Sequence, residues 1–302
     1  MPSYTDHMRP GESPAAFTQR ILAPAIERRT PCGLGSMVWR IWGDPDRLTR
    51  RPPVVMLHGG SGSWRHWIHT IPALAPHYDL VVADLPGLGD SDPLPDPQTL
   101  EHVAQIVADG IRTLIPAPAP FHLLAFSYGS ITGAHVAAAL EDRIRSFTLI
   151  GTASFGLPWG PLPGRPRGDS PGMSLAEKQA VHRHNLGIIL LHDPARVDDL
   201  AVHLQTENRD RARLVTHKSA DGDLLVQALP KVRAPLNLIF GSHDPYALPN
   251  LEEKAAIMRG FDPDLDFRTI PDAGHWVMYE RPDETNAHVL EMLSNPRQRR
   301  SD

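Results

Sequence analysis

Several things are scarce in this chain of 302 residues, and each scarcity removes a class of function. With a single cysteine no internal disulfide can form. Cys32 lies in Thr30-Pro31-Cys32-Gly33 with no His or second Cys at metal-ligand spacing, so it reads as a bystander thiol. Positive charge is not in excess. There are 30 Lys and Arg against 35 Asp and Glu, a formal net charge of -5, which gives no chain-wide basic field and argues against a nucleic-acid partner. Long hydrophobic runs are missing as well. Residues Met1 to Pro10 contain no apolar signal core, and no uncharged apolar window of about 18 residues occurs, so we expect a soluble, cytoplasmic protein with no membrane partner. No internal repeat is present.

The chain is rich in punctuation. Its 31 Pro and 23 Gly fall mostly in short clusters between apolar runs, as they do where many elements alternate. Residues 1–35 hold one amphipathic stretch, Ala15 to Ile26, and read as an N-terminal arm that packs on the body or on a neighbouring copy; a homodimer stays open. Met37 to Trp42 suits an edge strand. Val54-Val55-Met56-Leu57 and Leu80-Val81-Val82-Ala83 are unbroken apolar runs, each closed by a Gly-rich turn. Such runs, with helical patterns between them, suit a parallel sheet covered on both faces. Thr99 to Ile115 repeats apolar residues at the helical period, with Thr99 as cap. A strand at 121–125, a helix at 130–140 and a strand at 147–150 follow. Residues 156–172 then carry five Pro and five Gly, which neither strand nor helix interiors tolerate. Helical segments at about 174–191 and 195–214 come next. Alternation resumes with strands at 236–240 and 266–270 and helices at 250–259 and 283–293. The expected organisation is an arm (1–35), an α/β core (36–155 and 227–302) with a mostly parallel, doubly wound sheet, and an inserted helical cap (156–226).

Chemistry concentrates at the carboxyl ends of the expected strands. Ala125-Phe126-Ser127-Tyr128-Gly129 is a small-x-Ser-x-Gly turn between a strand and a helix. Small residues flank the Ser because a sharp turn brings backbones close while it lifts the hydroxyl out. A nucleophilic Ser needs a base and a carboxylate to orient it, on turns after later strands of the same edge. Gly241-Ser242-His243-Asp244 supplies Asp244, and Gly274-His275-Trp276 supplies His275. The turn after 147–150, Gly151-Thr152-Ala153-Ser154, has no carboxylate. His58-Gly59-Gly60-Ser61-Gly62-Ser63-Trp64 can offer backbone N–H groups to a developing oxyanion, with Gly60 and Tyr128 as donors. It lacks the Lys-Ser/Thr pair of a phosphate loop.

These motifs, with Asp84-Leu85-Pro86-Gly87-Leu88-Gly89-Asp90-Ser91, occur in an order that resembles the α/β-hydrolase superfamily over about residues 36–155 and 227–296. The resemblance implies a hydrolase with Ser127 as nucleophile, His275 as base, Asp244 as the orienting acid, Gly60 and Tyr128 as the oxyanion hole, and a small-molecule substrate with no cofactor or metal. Ser at position 127 argues against the haloalkane dehalogenases and epoxide hydrolases, which carry Asp there, and the dienelactone hydrolases, which carry Cys. Ester or lactone hydrolysis is the favoured reaction. Hydrolysis of a carbon–carbon bond in a ring-cleavage product is the alternative, since Gly274-His275-Trp276 followed by Glu280-Arg281-Pro282 is similar to those enzymes. Phe126 departs from the Asn they usually carry, and the loop after His58-Gly59 lacks their Gly-Pro-Gly. A non-enzymatic receptor on the same scaffold is the third reading, disfavoured because all three triad positions are filled.

Four further residues are substrate-binding candidates: Trp64, Phe126, Arg183 and Trp276. Tyr128, Trp64, Trp67 and Trp276 could wall an aromatic pocket. Arg183 or an arginine of Asn208-Arg209-Asp210-Arg211-Ala212-Arg213 could meet a substrate carboxylate; otherwise that run is a solvated helix face. His182 and His184, two apart on a helix, point to different faces and suit solvent better than a metal. Asp84 and Asp90 are expected to satisfy backbone N–H groups.

Overall fold

A computed structural model describes residues 7–170, 172–216 and 222–297. The eight strands are β1 (Ile26–Cys32), β2 (Gly35–Trp42), β3 (Val54–Leu57), β4 (Leu80–Ala83), β5 (Phe121–Phe126), β6 (Ile144–Ile150), β7 (Leu236–Gly241) and β8 (Asp266–Ile270). They form one sheet in the order β1-β2-β4-β3-β5-β6-β7-β8, antiparallel at β1/β2 and β2/β4 and parallel from β4 through β8. Among the described residues ten α-helices accompany them: α1 (Pro14–Leu22), α2 (Thr70–Leu74), α3 (Leu100–Leu114), α4 (Tyr128–Leu140), α5 (Leu175–Ile189), α6 (Asp199–Arg211), α7 (Leu224–Ala228), α8 (Leu251–Phe261), α9 (Val277–Glu280) and α10 (Pro282–Ser294).

The central strands read as unbroken apolar runs because both of their faces are covered. In β3, Val55 and Leu57 join a core with α3, α4, α7 and α8, while Val54 and Met56 face the opposite core with α1, α2, α9 and α10. In β5 the same alternation sends Leu123 and Ala125 one way and Leu124 and Phe126 the other. Apolar side chains of α5 and α6 (Leu186, Leu200, Leu204) join the second core, so the insertion after β6 is packed down rather than tethered. Thr99 caps α3 through its hydroxyl, 3.3 Å from the His102 N–H, an interaction typically contributing about 1 kcal/mol.

The N-terminal region differs from expectation. The strand ending at Trp42 is not the edge: Ile26–Cys32 pairs with it over seven residues, Ile26 opposite Ile41 through Cys32 opposite Gly35, inside the segment read as an arm. Its sequence, Ile-Glu-Arg-Arg-Thr-Pro-Cys, lacks the apolar signal because its first four residues are exposed. Charges and Pro31 are what an edge strand tolerates. Beyond that, the chain moves from β3 to β4 on one side and to β5 on the other. A crevice therefore opens beyond the carboxyl ends of β3 and β5, where doubly wound sheets place their sites.

Candidate active site

Ser127 occupies the tip of the turn from β5 into α4 with φ 51° and ψ -119°, a backbone conformation that side-chain-bearing residues rarely adopt. Its neighbours hold it there. The Ser127 N–H donates to Ile150 O at 2.9 Å, and the Ser130 hydroxyl donates to Ala125 O at 2.8 Å. Gly129 has no alternative, because a Cβ there would lie 2.4 Å from the carbonyl oxygens of both Leu57 and His58. Strain of this sort costs on the order of 1–3 kcal/mol and persists only where the surroundings over-determine it.

Two later turns bring their side chains to this hydroxyl. His275 Nε2 lies 2.9 Å from Ser127 Oγ, and His275 Nδ1 lies 2.8 Å from Asp244 Oδ2. Asp244 is fully buried and accepts the Tyr246 N–H on its other oxygen at 2.9 Å. The β7 and β8 turns lock together: His243 N–H donates to Ala273 O at 2.9 Å, and a Cβ on Gly241 would lie 2.0 Å from Gly274 O. The residues flanking His275 are tied outward. Gly274 N–H donates to the buried Glu280 carboxylate at 2.6 Å, and Trp276 N–H donates to Leu190 O of the insertion at 2.8 Å. The Asp193 N–H of the insertion reaches the other Glu280 oxygen at 2.5 Å.

The loop after β3 forms the facing wall. His58 is fully buried, accepting the Leu85 N–H at Nε2 (2.9 Å) and donating from Nδ1 to Gly59 O (2.8 Å). Burial outweighs the pull of Asp84 and holds its pKa below the ordinary value. Asp84 closes the loop by accepting the N–H of Trp64 at 2.8 Å and of Asp90 at 3.0 Å, beside the Arg40 guanidinium at 2.6 Å. Burial pushes the Asp84 carboxyl up, but Arg40, His58 and those N–H groups outweigh it and keep it below the usual carboxylate range. Gly60 and Tyr128 face each other, since a Cβ on Gly60 would stand 3.7 Å from Tyr128 Cβ. The Tyr128 N–H belongs to the first turn of α4, where helix geometry provides no acceptor four residues back.

Ser127 and His275 open on a cavity of about 530 Å³. Gly60, Ser61, His66, Phe126, Trp159 and Tyr246 line it, together with Gln205, Arg209 and the 212–216 segment. The Phe126 and Tyr246 rings lie 5.0 and 4.6 Å from the His275 ring, so that imidazole sits against aromatic surface. Burial pushes the Tyr246 phenol up to about 12, which keeps it protonated at neutral pH. Among the described residues no cluster of three or more His, Cys, Asp or Glu side chains could hold a metal, and no helix is long and apolar enough to cross a membrane.

Of the residues picked from sequence, Ser127, Asp244, His275, Gly60, Tyr128 and Phe126 come together. Of the four substrate-binding candidates, three do not reach the cavity. Trp64 is buried beneath the loop, 5.7 Å from the Trp42 ring. Trp276 is buried behind the site, donating from its indole to His66 O at 2.9 Å. Arg183 points outward and binds Val197 O and Asp199 at 2.7 and 2.6 Å, joining α5 to the start of α6. One residue earlier, His182 is buried between the two helices with Thr206 Oγ1 at 2.9 Å, and is not on a solvated face. The sequence reading missed His66, Trp159, Tyr246 and Gln205. Only His66 had a local signal, its place between two tryptophans in Trp64-Arg65-His66-Trp67.

The sequence profile of the alpha/beta hydrolase family matches residues 54–288. The chain is 26% identical over 249 residues to the dihydrolipoyllysine-residue acetyltransferase component of the acetoin cleaving system from Pseudomonas putida, covering 80% of this chain and 63% of that one. It thus spans less than two thirds of that relative's length. It is 22% identical over 264 residues, 80% of this chain and 87% of the other, to 2-hydroxy-6-oxononadienedioate/2-hydroxy-6-oxononatrienedioate hydrolase 2 of Pseudomonas putida. Carboxylesterase CesB from Bacillus subtilis superposes with a TM-score of 0.70 at 19% identity, over 93% of this chain and 98% of the other.

Proposed function

The chain belongs to the alpha/beta hydrolase family, and on that premise we propose that it is a serine hydrolase acting on a small, partly apolar carboxylic ester or lactone, with residues 156–226 as its cap. The observation that carries this is the relay Ser127–His275–Asp244 at 2.9 and 2.8 Å, with the serine held at positive φ on the rim of a cavity lined by both apolar and polar side chains.

Ser127 Oγ attacks the acyl carbon as His275 Nε2 takes its proton, and Asp244 holds the ring by its Nδ1–H and stabilises the imidazolium. The carbonyl oxygen, now anionic, is received by the N–H groups of Gly60 and Tyr128. Collapse expels the alcohol, which leaves with the His275 proton. Water, deprotonated by the same imidazole, then cleaves the acyl-enzyme to acid and free Ser127. No step requires a metal or cofactor.

A second reading, carbon–carbon hydrolysis of a ring-cleavage dienoate, is favoured by the likeness to the nonadienedioate hydrolase and by Arg209 and Arg213 on the cavity. It needs a proton delivered to a substrate carbon, and the Phe126 ring stands beside the nucleophile with no proton to give. Assaying aryl and short acyl esters against dienoates, with Ser127→Ala as blank, separates the two. Esters should have the larger kcat/KM by at least about tenfold, about 1.4 kcal/mol of transition-state free energy. Faster turnover of a dienoate, lost selectively on changing Arg209 or Arg213, refutes the ester reading.

A further inference from the structure

His66 is a buried imidazole that the relay does not use. It is 4% exposed, and the loop Gly59-Gly60-Ser61-Gly62 is wound around it. The Gly59 N–H donates to Nδ1 at 3.2 Å, and a Cβ on Gly62 would fall 2.2 Å from Cε1. Phe126 and Trp276 pack on the ring at 5.3 and 5.1 Å between centroids in edge-on geometry, and the indole of Trp276 holds its backbone carbonyl. The ring therefore has one orientation.

That orientation decides where its proton is. A neutral imidazole carries one N–H. Because Nδ1 accepts a backbone N–H, the proton is on Nε2. Burial and the neighbouring His58 and His275 rings hold the pKa of His66 well below its ordinary value, so the neutral form prevails at neutral pH. The Nε2–H has no acceptor among the described residues, and His66 lines the same cavity as Gly60, Ser127 and Tyr128. The wall it stands in is the one that holds the oxyanion loop: a Cβ on Gly59, the residue bonded to Nδ1, would lie 3.2 Å from Ser127 Cβ.

We propose that His66 is a catalytic residue, the third donor of the oxyanion hole, giving its Nε2–H to the oxygen of the tetrahedral intermediate beside the N–H groups of Gly60 and Tyr128. This rests on the serine-hydrolase reading. A donor fixed in this way stabilises charge that appears only in the transition state, so it acts on kcat more than on KM. It also explains why an unpaired polar edge is kept in a wall that the Phe126 ring otherwise closes.

The test uses the whole protein, with histidine labelled by ¹⁵N, and an aryl trifluoromethyl ketone. Addition of Ser127 Oγ to the ketone carbon forms a C–O bond, passes the serine proton to His275 and leaves an oxyanion. The Nε2–H resonance of His66 should then move downfield and exchange more slowly, and the change should be absent in Ser127→Ala. In parallel, His66→Phe should lower kcat about 10- to 100-fold with KM within about threefold, and weaken the ketone by a similar factor, as for loss of an oxyanion donor. His66→Gln, which can accept from Gly59 and still donate, should recover most of this. If the ketone does not add to Ser127, the serine-hydrolase reading itself fails. If it adds and the His66 resonance does not move, or if Gln and Phe lose activity equally, His66 is not a donor and the inference is overturned; the spectrum on the unmodified sequence decides even if a variant does not fold.

Discussion

Glu280 offers a quantitative perturbation, because its buried carboxylate accepts two backbone N–H groups that belong to different parts of the molecule. Gly274, next to His275, donates at 2.6 Å, and Asp193, which caps the short turn between α5 and α6, donates at 2.5 Å. Truncation by Glu280→Ala leaves both donors unpaired in a region where the glutamate itself is 2% exposed. At about 1–3 kcal/mol for each orphaned group, the loss is about 2–6 kcal/mol. Glu280→Gln keeps the volume and one acceptor, so it should cost about half as much. For a chain of this size each kcal/mol lowers Tm by about 2–4 °C, which makes the difference between the two variants measurable by thermal melting and urea unfolding. The activity consequence is separate. Without its anchor the Gly274-His275 backbone loses the bond to Gly274 N–H and keeps the flanking ones, His243 N–H on Ala273 O and Trp276 N–H on Leu190 O, and a displacement near 1 Å is enough to lower kcat about 10²-fold. We therefore expect the order parent, Gln, Ala in both stability and kcat. If both variants unfold within about 0.5 kcal/mol of the parent, the two N–H groups are not satisfied by Glu280 and the reasoning fails.

Four other outcomes follow from particular contacts. Gly151 has φ 54°, and a Cβ there would meet His275 Cε1 and Nδ1 at 3.1 Å, so Gly151→Ala should lower kcat by roughly tenfold or more while costing stability on the order of 1–3 kcal/mol from the strained backbone; unchanged kinetics would rule out the contact. His122 is buried, and burial, with Arg145, holds its pKa at about 4. The unfolded chain takes up that proton near pH 6.5 while the native state does not, so about 2 kcal/mol of stability is lost between pH 7 and pH 5, and urea titrations of His122→Phe should show a correspondingly shallower pH dependence. Burial, reinforced by Asp92, pushes the Cys32 thiol up to about 11, so the native protein should be inert to a thiol reagent at pH 8 and react fully in denaturant. Limited proteolysis should cut first between about 157 and 170, where Pro and Gly exclude regular structure, and a first cut inside 236–275 would contradict the packing of the β7 and β8 turns.

The parts of the fold that could be read from sequence were those buried on both faces, since β3 and β4 announce themselves as unbroken apolar runs of four residues closed by Gly-rich turns, and β5 and β7 as six-residue runs interrupted only by His122 and Asn237 among polar side chains. β1 was not legible, because an edge strand with its first four residues exposed carries charge and proline in place of a pattern. At the site, Ser127, Asp244 and His275 could be read because each follows a strand, and strand ends in a parallel sheet converge. His66 and Tyr246 could not. Neither belongs to a spacing rule: His66 comes to the cavity only because the loop after β3 winds around it, and Tyr246 because the turn after β7 folds its ring back onto His275. Trp64 and Trp276 show the converse, since aromatic residues beside catalytic motifs were as apt to be packing as pocket, and both are packing. Arg183 turns away for a reason a helical wheel could have suggested, namely that its neighbour His182 takes the buried face of α5.

The most direct test of the central claim is covalent. A fluorophosphonate, whose phosphorus is attacked by an activated serine with loss of fluoride, should add once to the intact protein, and peptide mapping should place the adduct on Ser127. The label should be absent from Ser127→Ala and strongly slowed in His275→Ala, whose removal should lower turnover by roughly 10⁴-fold or more. Labelling at another residue, or labelling that persists in Ser127→Ala, would contradict the account.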